Sequence, residues 1–305
     1  MILEQIDGAR IVFNDQSQTI LNITLATFMF VVALGIRIGD FKNLLRRPKL
    51  ILIGILSQFI LLPLLTFLLV RVFEPQPSIA LGMILVASCP GGNVSNFLCH
   101  LAKGNSALSV SLTAFATFMA MFMTPLNFQL YGSLYEPTAE ILRTVSVDPL
   151  KLVNLVLIIL GIPLILGMWL RSANSLLAAK ISKILKPISV IAFISIIVVA
   201  FANNFEVFEA FISKVIGIGI FHNLLAIGLG YTVALFFKLE FRERKTLAIE
   251  TGIQNAGLGI ILVFAFFDGL GGMAVLVAFW GIWHNISGLL LAWLWSGRRY
   301  KLETT

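Results

Sequence analysis

Apolar runs of about twenty residues recur along the whole chain, and no other feature restricts its fold so severely. A helix needs ~20 apolar residues to cross a hydrocarbon layer ~30 Å thick. Backbone groups in that layer have no water to bond, so a spanning segment of this length must be a helix. The expected fold is therefore an all-α integral membrane protein. Only 12% of the 305 residues are charged and 58% are apolar, against ~25% charged in an average soluble domain, which leaves no room for a soluble domain. Nine membrane segments are expected, at about 19–39, 50–73, 78–102, 105–129, 150–170, 184–204, 213–237, 245–267 and 273–296. The connections are short apart from 130–149, so residues 1–305 read as one compact membrane bundle. The opening MILEQIDGARIVFNDQSQ carries acids and no basic start, unlike a cleaved signal peptide.

Lys and Arg prefer cytoplasmic loops. Sorted by loop, Arg37, Lys42, Arg46, Arg47, Lys49, Lys103, Arg171, Lys180, Lys183, Lys186, Lys238, Arg242, Arg244, Lys245, Arg298, Arg299 and Lys301 fall on one side. Arg10, Arg71, Arg143, Lys151 and Lys214 fall on the other, a split of 17 to 5. This places the N-terminus outside and the C-terminus in the cytoplasm. The net charge of +7 is then a topology signal, and no nucleic-acid partner is expected. Cys89 and Cys99 lie ten residues apart in one segment, about 15 Å at 1.5 Å per residue, too far to bridge.

A shift of 165 residues superimposes the two halves of the chain. It carries Lys49, Gly54 and Gln58 of KLILIGILSQ onto Lys214, Gly219 and Asn223 of KVIGIGIFHN, and CPGG at 89–92 onto QNAG at 254–257. The shift spans five crossings, an odd number, so the copies are inverted. Inverted repeats of this kind build secondary transporters, with the substrate at the repeat interface near mid-membrane.

The polar residues gather at that depth. The centre of TGIQNA lies eight to ten residues into its segment, or about 14 Å, half the hydrocarbon thickness. SCPGGN at 88–93 lies equally deep. Pro90 removes a donor and the glycines relax the chain, so both helices are expected to open there. Opened backbone is tolerated only where it is buried in protein or lines a wet cavity. Its carbonyls suit Na⁺, and the following half-helix N-termini favour an anion. Glu250 is the one carboxylate well inside any segment. Burying it costs at least ~2.5 kcal/mol on insertion scales, so it is a cation ligand or is neutralised by protonation or neighbouring amides. Asn93, Ser95 and Asn96 follow the first break, and Ser109 and Thr113 share a face in the next segment. Such hydroxyls also bond their own helix carbonyls, and Gln58 would serve as an interhelical bond. His284 and Asn285 sit at mid-depth, while His222 reads as an ordinary interhelical partner. There is no H-E-x-x-H, no phosphate loop and no aspartate inside any segment, so no enzyme constellation emerges.

At these positions the chain resembles the bile acid:sodium symporter family. The resemblance rests on CPGGNVSN at 89–96, GNSALSVSLT at 104–113, TLAIETGIQNAG at 246–257 and WHNISG at 283–288, in the family's order and spacing, and it extends over nearly the whole chain. It implies nine helices, without the extra first helix of many bacterial members. It also implies a core domain (about 50–129 and 213–296) with two crossing interrupted helices, beside a panel domain (about 19–39 and 150–204). It further implies two transported sodium ions, the first held by Ser95, Asn96, Ser109, Thr113 and Glu250. The second would be held by Gln58, Glu250, Gln254 and the carbonyls of Thr251 and Ile253. Asn255, His284 and Asn285 would meet the organic anion. Asn93 stands where some bacterial homologues have threonine, which leaves the substrate's identity open.

Bile acids and small 2-oxo or hydroxy acids are both open as cargo, and Glu250 would equally serve proton coupling. A non-transporting receptor or channel is the alternative class. A multi-pass bacterial inner-membrane protein is expected; the residues do not indicate an oligomeric state.

Overall fold

The computed structural model describes residues 4–11, 15–36, 39, 48–145 and 148–296. Among them the chain is helical, with only two isolated β-bridges. In chain order the helices are α1 (Glu4–Gly8), α2 (Asp15–Ala33), α3 (Pro48–Phe73), α4 (Pro77–Ser88), α5 (Val94–Leu101), α6 (Ser106–Leu134) and α7 (Glu136–Val145). There follow α8 (Pro149–Val156, a π turn at Leu157–Gly161, then Ile162–Ala173), α9 (Ser175–Asn203) and α10 (Phe205–Phe236). The chain ends in α11 (Phe241–Gly252), α12 (Ala256–Phe267) and α13 (Gly271–Ser296). Among the described residues, five stretches are long and apolar enough to cross a membrane as single helices: α3, α6, Leu150–Ala173, α10 and α13.

Hydropathy marked where helices meet hydrocarbon, not where they end. Thus α9 starts at Ser175 and α10 at Phe205, about two turns ahead of their apolar runs. The 130–149 connection contains α7, which buries Thr138, Ala139 and Leu142 but at ten residues is too short to show as a span. Seven of the sorted cations, Arg37, Lys42, Arg46, Arg47, Arg298, Arg299 and Lys301, lie outside the described residues.

Prolines shape the long helices. In α3 the six residues Leu56–Leu61 form a π turn just before Pro63. Pro63 has no N–H for the carbonyl of Phe59 four residues back, and Asn127 of α6 supplies the missing donor at 2.8 Å. Helix ends are treated likewise at the pole that carries Lys49, Lys103 and Lys245. Their ammonium groups donate to the carbonyls of Phe237 (3.2 Å), Ser296 (3.0 Å) and Ala102 (2.8 Å), each at a helix C-terminus, where the dipole favours a cation. At the opposite pole Asp7 accepts from the N–H of Ser78 at 2.8 Å in the first turn of α4.

Packing sorts the helices into neighbours. Helix α2 lies along α8 and α9; α10 packs on α11 and α13; α4 packs on α13 and α6. Helices α4/α5 and α11/α12 are two broken pairs, and their gaps meet inside the bundle.

Candidate functional site

The site is built around two gaps. Helix α4 stops at Ser88 and α5 starts at Val94; α11 stops at Gly252 and α12 starts at Ala256. The strands of chain in the gaps cross as an antiparallel bridge between Gly91 and Gln254. Gly92 N–H donates to Ile253 O at 2.7 Å, and Asn255 N–H donates to Pro90 O at 2.8 Å. Both glycines are required by proximity. A methyl on Gly91 would stand 3.1 Å from the carbonyl oxygen of Glu250 and 3.1 Å from its Oε2, and one on Gly92 would stand 2.8 Å from Gln254 O.

Breaking two helices leaves carbonyls that lipid cannot bond, and each unpaired group costs several kcal/mol. Side chains take them up, three from other helices and one, Gln254, from the gap itself. Ser88 O accepts from Thr124 Oγ1 at 2.7 Å, and Cys89 O accepts from Gln58 Nε2 at 2.9 Å. Gly252 O accepts from Asn223 Nδ2 at 2.8 Å, and Thr251 O accepts from Gln254 Nε2 at 2.6 Å. Gln58 and Asn223, equivalent under the 165-residue shift, thus serve opposite gaps. The carbonyls of Thr251 and Ile253 already hold one hydrogen bond each; a carbonyl oxygen has a second lone pair to offer.

Beside the crossing lies a compact oxygen cluster. Ser95 and Ser109 both donate to Glu250 Oε1, the former at 2.7 Å, and Thr113 donates to Oε2 at 2.8 Å. Asn96 Oδ1 lies 2.9 Å from Ser109 Oγ and 3.2 Å from Thr113 Oγ1. Each hydroxyl has one hydrogen but two acceptors within reach, so oxygen lone pairs outnumber donors here. Such a surplus is what a cation satisfies. Ser95, Ser109 and Thr113 are buried, as is Glu250. The local reason is plain: the first turn of α5 carries Ser95 and Asn96, and the i, i+4 pair Ser109 and Thr113 shares a face of α6.

Gln58 stands on the π turn of α3, which aims it at the gaps. Its amide and that of Gln254 exchange hydrogen bonds at 2.9 and 3.3 Å. Ser57 and Thr251 hydroxyls meet at 2.8 Å next to them. A cavity of about 20 Å³ is bordered by Gln58, Gly91, Glu250 and Thr251, with apolar side chains such as Leu112 and Phe115 on its other walls. One water needs roughly 10–15 Å³.

The remaining candidate residues lie at the helix starts after the gaps and on α13 beside them. Asn93 and Asn255 are the N-cap residues of α5 and α12, and Asn255 Oδ1 accepts from Leu258 N–H at 3.1 Å. On α13, Gly281 abuts Ala256 and Gly288 abuts Ile253, so His284 between them turns toward the second gap. It is buried, and its Nδ1 has no hydrogen-bond partner in the described structure. Asn285 donates to Gly281 O of its own helix at 2.6 Å. His222 makes the interhelical bond expected of it, to Thr66 at 2.7 Å. Asn223, Ser57, Thr124 and Ser287, which donates to Asn223 Oδ1 at 2.6 Å, were not marked as site residues. The repeat shift pointed at Asn223; no sequence signal singles out the other three. Cys89 and Cys99 are free and buried, on opposite sides of the first gap.

A bundle of apolar helices in which two broken helices cross beside a buried cluster of side-chain oxygens has the form of an α-helical secondary transporter. A profile of the Sodium Bile acid symporter family matches residues 22–211, and the chain belongs to that family. It is 35% identical over 283 residues to a protein named "Uncharacterized sodium-dependent transporter YocS" from Bacillus subtilis (strain 168), covering 93% of this chain and 85% of that one. It is 31% identical over 242 residues to the human "Ileal sodium/bile acid cotransporter", covering 79% of this chain and 67% of the human one. A third relative, "Probable sodium/metabolite cotransporter BASS1, chloroplastic" of Arabidopsis thaliana, is 29% identical over 278 residues, 91% of this chain and 66% of the plant protein.

Proposed function

We propose that the chain is a sodium-coupled symporter that carries bile acids or similar organic anions by alternating access. The observation that carries this reading is the cluster of Glu250, Ser95, Asn96, Ser109 and Thr113 against two crossing helix gaps. One carboxylate and a surplus of neutral oxygens suit a single monovalent cation, and membership of a sodium symporter family supports sodium as that cation. The second ion takes the cavity bordered by Gln58, Glu250 and Thr251, with Gln254, which is hydrogen-bonded to Gln58, and the carbonyls of Thr251 and Ile253 as its further ligands. The names of the human and plant relatives support an organic cargo, a bile acid in one and a metabolite in the other.

In this reading the chain crosses the membrane nine times as an inverted repeat, with α3–α6 and α10–α13 as a core and α2, α8 and α9 as a panel. The N-terminus lies outside, the C-terminus in the cytoplasm, and the membrane is the bacterial inner one. Two sodium ions tie α3, α5, α6 and α11 together and thereby set the N-termini of α5 and α12. Those termini, with Asn93, Asn255, His284 and Asn285, receive the anion's charge. Ion and substrate therefore favour one another, a coupling of typically ~1–3 kcal/mol that acts in both directions.

The test is uptake of radiolabelled taurocholate and of small 2-oxo acids by reconstituted protein, with sodium or potassium outside. Sodium-dependent uptake lost in Glu250→Ala, with the variant still inserted, is the expected result. Uptake by Glu250→Ala that keeps its sodium dependence sinks the ion assignment, and uptake driven by a pH gradient without sodium replaces it with proton coupling.

A further inference from the structure

Behind the carboxylate cluster lies a second polar layer, one helical turn nearer the pole that carries Lys103 and Lys245. Residues four apart share a helix face. One turn from Ser95 on α5 stands Cys99, and one turn from Glu250 on α11 stands Thr246. Four residues before Ser109 stands Asn105, the N-cap of α6. All three steps run the same way, toward the C-terminus of α5 and the N-termini of α6 and α11. The three residues meet: Thr246 Oγ1 accepts from Asn105 N–H at 2.8 Å and lies 3.2 Å from Cys99 Sγ. Cys99 and Thr246 are buried, Asn105 is half-buried and Lys103 is exposed, so the layer runs from the buried cluster toward the surface.

Hydroxyls in membrane helices often bond their own helix, and Thr246 does donate to Arg242 O at 2.9 Å. The 165-residue shift supplies an internal comparison. It carries Lys103 onto Asp268, and both are left-handed, at φ 54° and 47°. Taken in either direction, it relates Cys99, Asn105 and Thr246 to Phe264, Leu270 and Leu81, all apolar and buried. Backbone holds that related turn, with Ile11 N–H donating to Gly269 O at 2.8 Å. The carboxylate cluster compares likewise, Ser109 and Thr113 falling on Ala274 and Ala278, and Glu250 on Leu85. Of two related columns, one is polar in both layers and the other in neither. The turn itself therefore does not demand polar side chains, and such residues inside a membrane mark ion paths.

Backbone closes the layer. A methyl on Gly104 would stand 2.7 Å from Cys99 Sγ and 3.0 Å from Thr246 Oγ1, so the turn at 102–105 rests directly on it. Lys245 fastens that turn, its ammonium donating to Ala102 O at 2.8 Å. We infer that Cys99, Asn105 and Thr246 are the inner gate of the carboxylate cluster, through which sodium leaves Glu250 when the turn at 102–105 lifts off α11. The oxygens of Thr246 and Asn105 receive the ion in passing. The charge of Lys245 disfavours a sodium ion lodging beside it, so the layer passes ions and does not store one. This inference rests on the proposed sodium coupling and adds a route to it.

Cys99 makes the gate its own probe. The full chain in membrane vesicles is treated with a membrane-impermeant methanethiosulfonate, and labelling of Cys99 is read by peptide mass spectrometry. Cys99 is expected to react in inside-out vesicles and not in right-side-out ones. Sodium at about ten times its midpoint should lower the open population, and with it the labelling rate, about tenfold against potassium. Thr246→Val takes the oxygen from the path. Sodium binding and release, followed by stopped-flow tryptophan fluorescence, should then both slow several-fold while the sodium midpoint of thermal stabilisation holds; Thr246→Ser restores the rates. Sodium stabilisation with equal labelling in sodium and potassium, or reaction only in right-side-out vesicles, overturns the gate and leaves the coupling standing. A sodium midpoint weakened in Thr246→Val overturns it too, by placing the layer in the ion site itself. Absence of any sodium stabilisation sinks the coupling and the gate together.

Discussion

Thr113→Val removes one hydroxyl from the carboxylate cluster and leaves a side chain of similar size. Thr113 Oγ1 lies 2.8 Å from Glu250 Oε2 and 3.2 Å from Asn96 Oδ1, in a buried position. A hydrogen bond to a charged group contributes ~1.5–3 kcal/mol, and the same oxygen is a proposed sodium ligand. Sodium affinity is therefore expected to fall by about one to two decades, at ~1.4 kcal/mol per decade. The assay is a sodium titration of thermal stability in detergent, with potassium holding ionic strength constant. Stabilisation by a ligand follows RT ln(1 + [L]/Kd), so tenfold weaker binding takes ~1.4 kcal/mol from the sodium-dependent part. Thr113→Ser keeps the oxygen and should recover most of it. Ser109 bonds the same carboxylate and the same Asn96, so Thr113→Val and Ser109→Ala should be non-additive, with a coupling of ~0.5–3 kcal/mol. An unchanged sodium midpoint in Thr113→Val, or a serine variant as impaired as the valine one, refutes the ion-site assignment.

Gly91→Ala places a methyl 3.1 Å from Glu250 Oε2 and from its carbonyl oxygen. It should abolish sodium-specific stabilisation and also lower the melting temperature in potassium, because the crowded carbonyl is backbone; normal sodium binding would show that Gly91 does not border the ions. Asn223→Ala leaves the buried Gly252 carbonyl without its donor, which should cost ~1–3 kcal/mol, seen as an equal drop in melting temperature with and without sodium. Asn127→Ala strips the donor from Phe59 O and, by moving the π turn that carries Gln58, should weaken sodium binding as well as stability.

Much of the site was legible because its members sit near two local signals. Pro90 with Gly91 and Gly92 opens one helix, and TGIQNAG opens the other, at the residues where the structure shows gaps. Glu250 stood out as a charge in hydrocarbon, and Ser109 and Thr113 as an i, i+4 pair. Spacing alone did not reveal that α5 and α6 bring Ser95, Asn96, Ser109 and Thr113 around a single carboxylate. The π turn at Leu56–Leu61 was also invisible: Pro63 announces an irregularity, but only a donor from another helix decides how it is resolved.

The division is a physical one. By itself the sequence determined that the chain forms apolar helices and that two of them break, because hydrophobic runs and Pro/Gly backbone limits act within a few residues. The tertiary structure alone decided which donors close the broken ends: Thr124 for Ser88, Gln58 for Cys89, Asn223 for Gly252 and Asn127 for Phe59. Each of these partners is about thirty to seventy residues away along the chain. A buried carbonyl without a donor costs several kcal/mol at mid-membrane, so these long-range pairings hold the crossing open at Glu250.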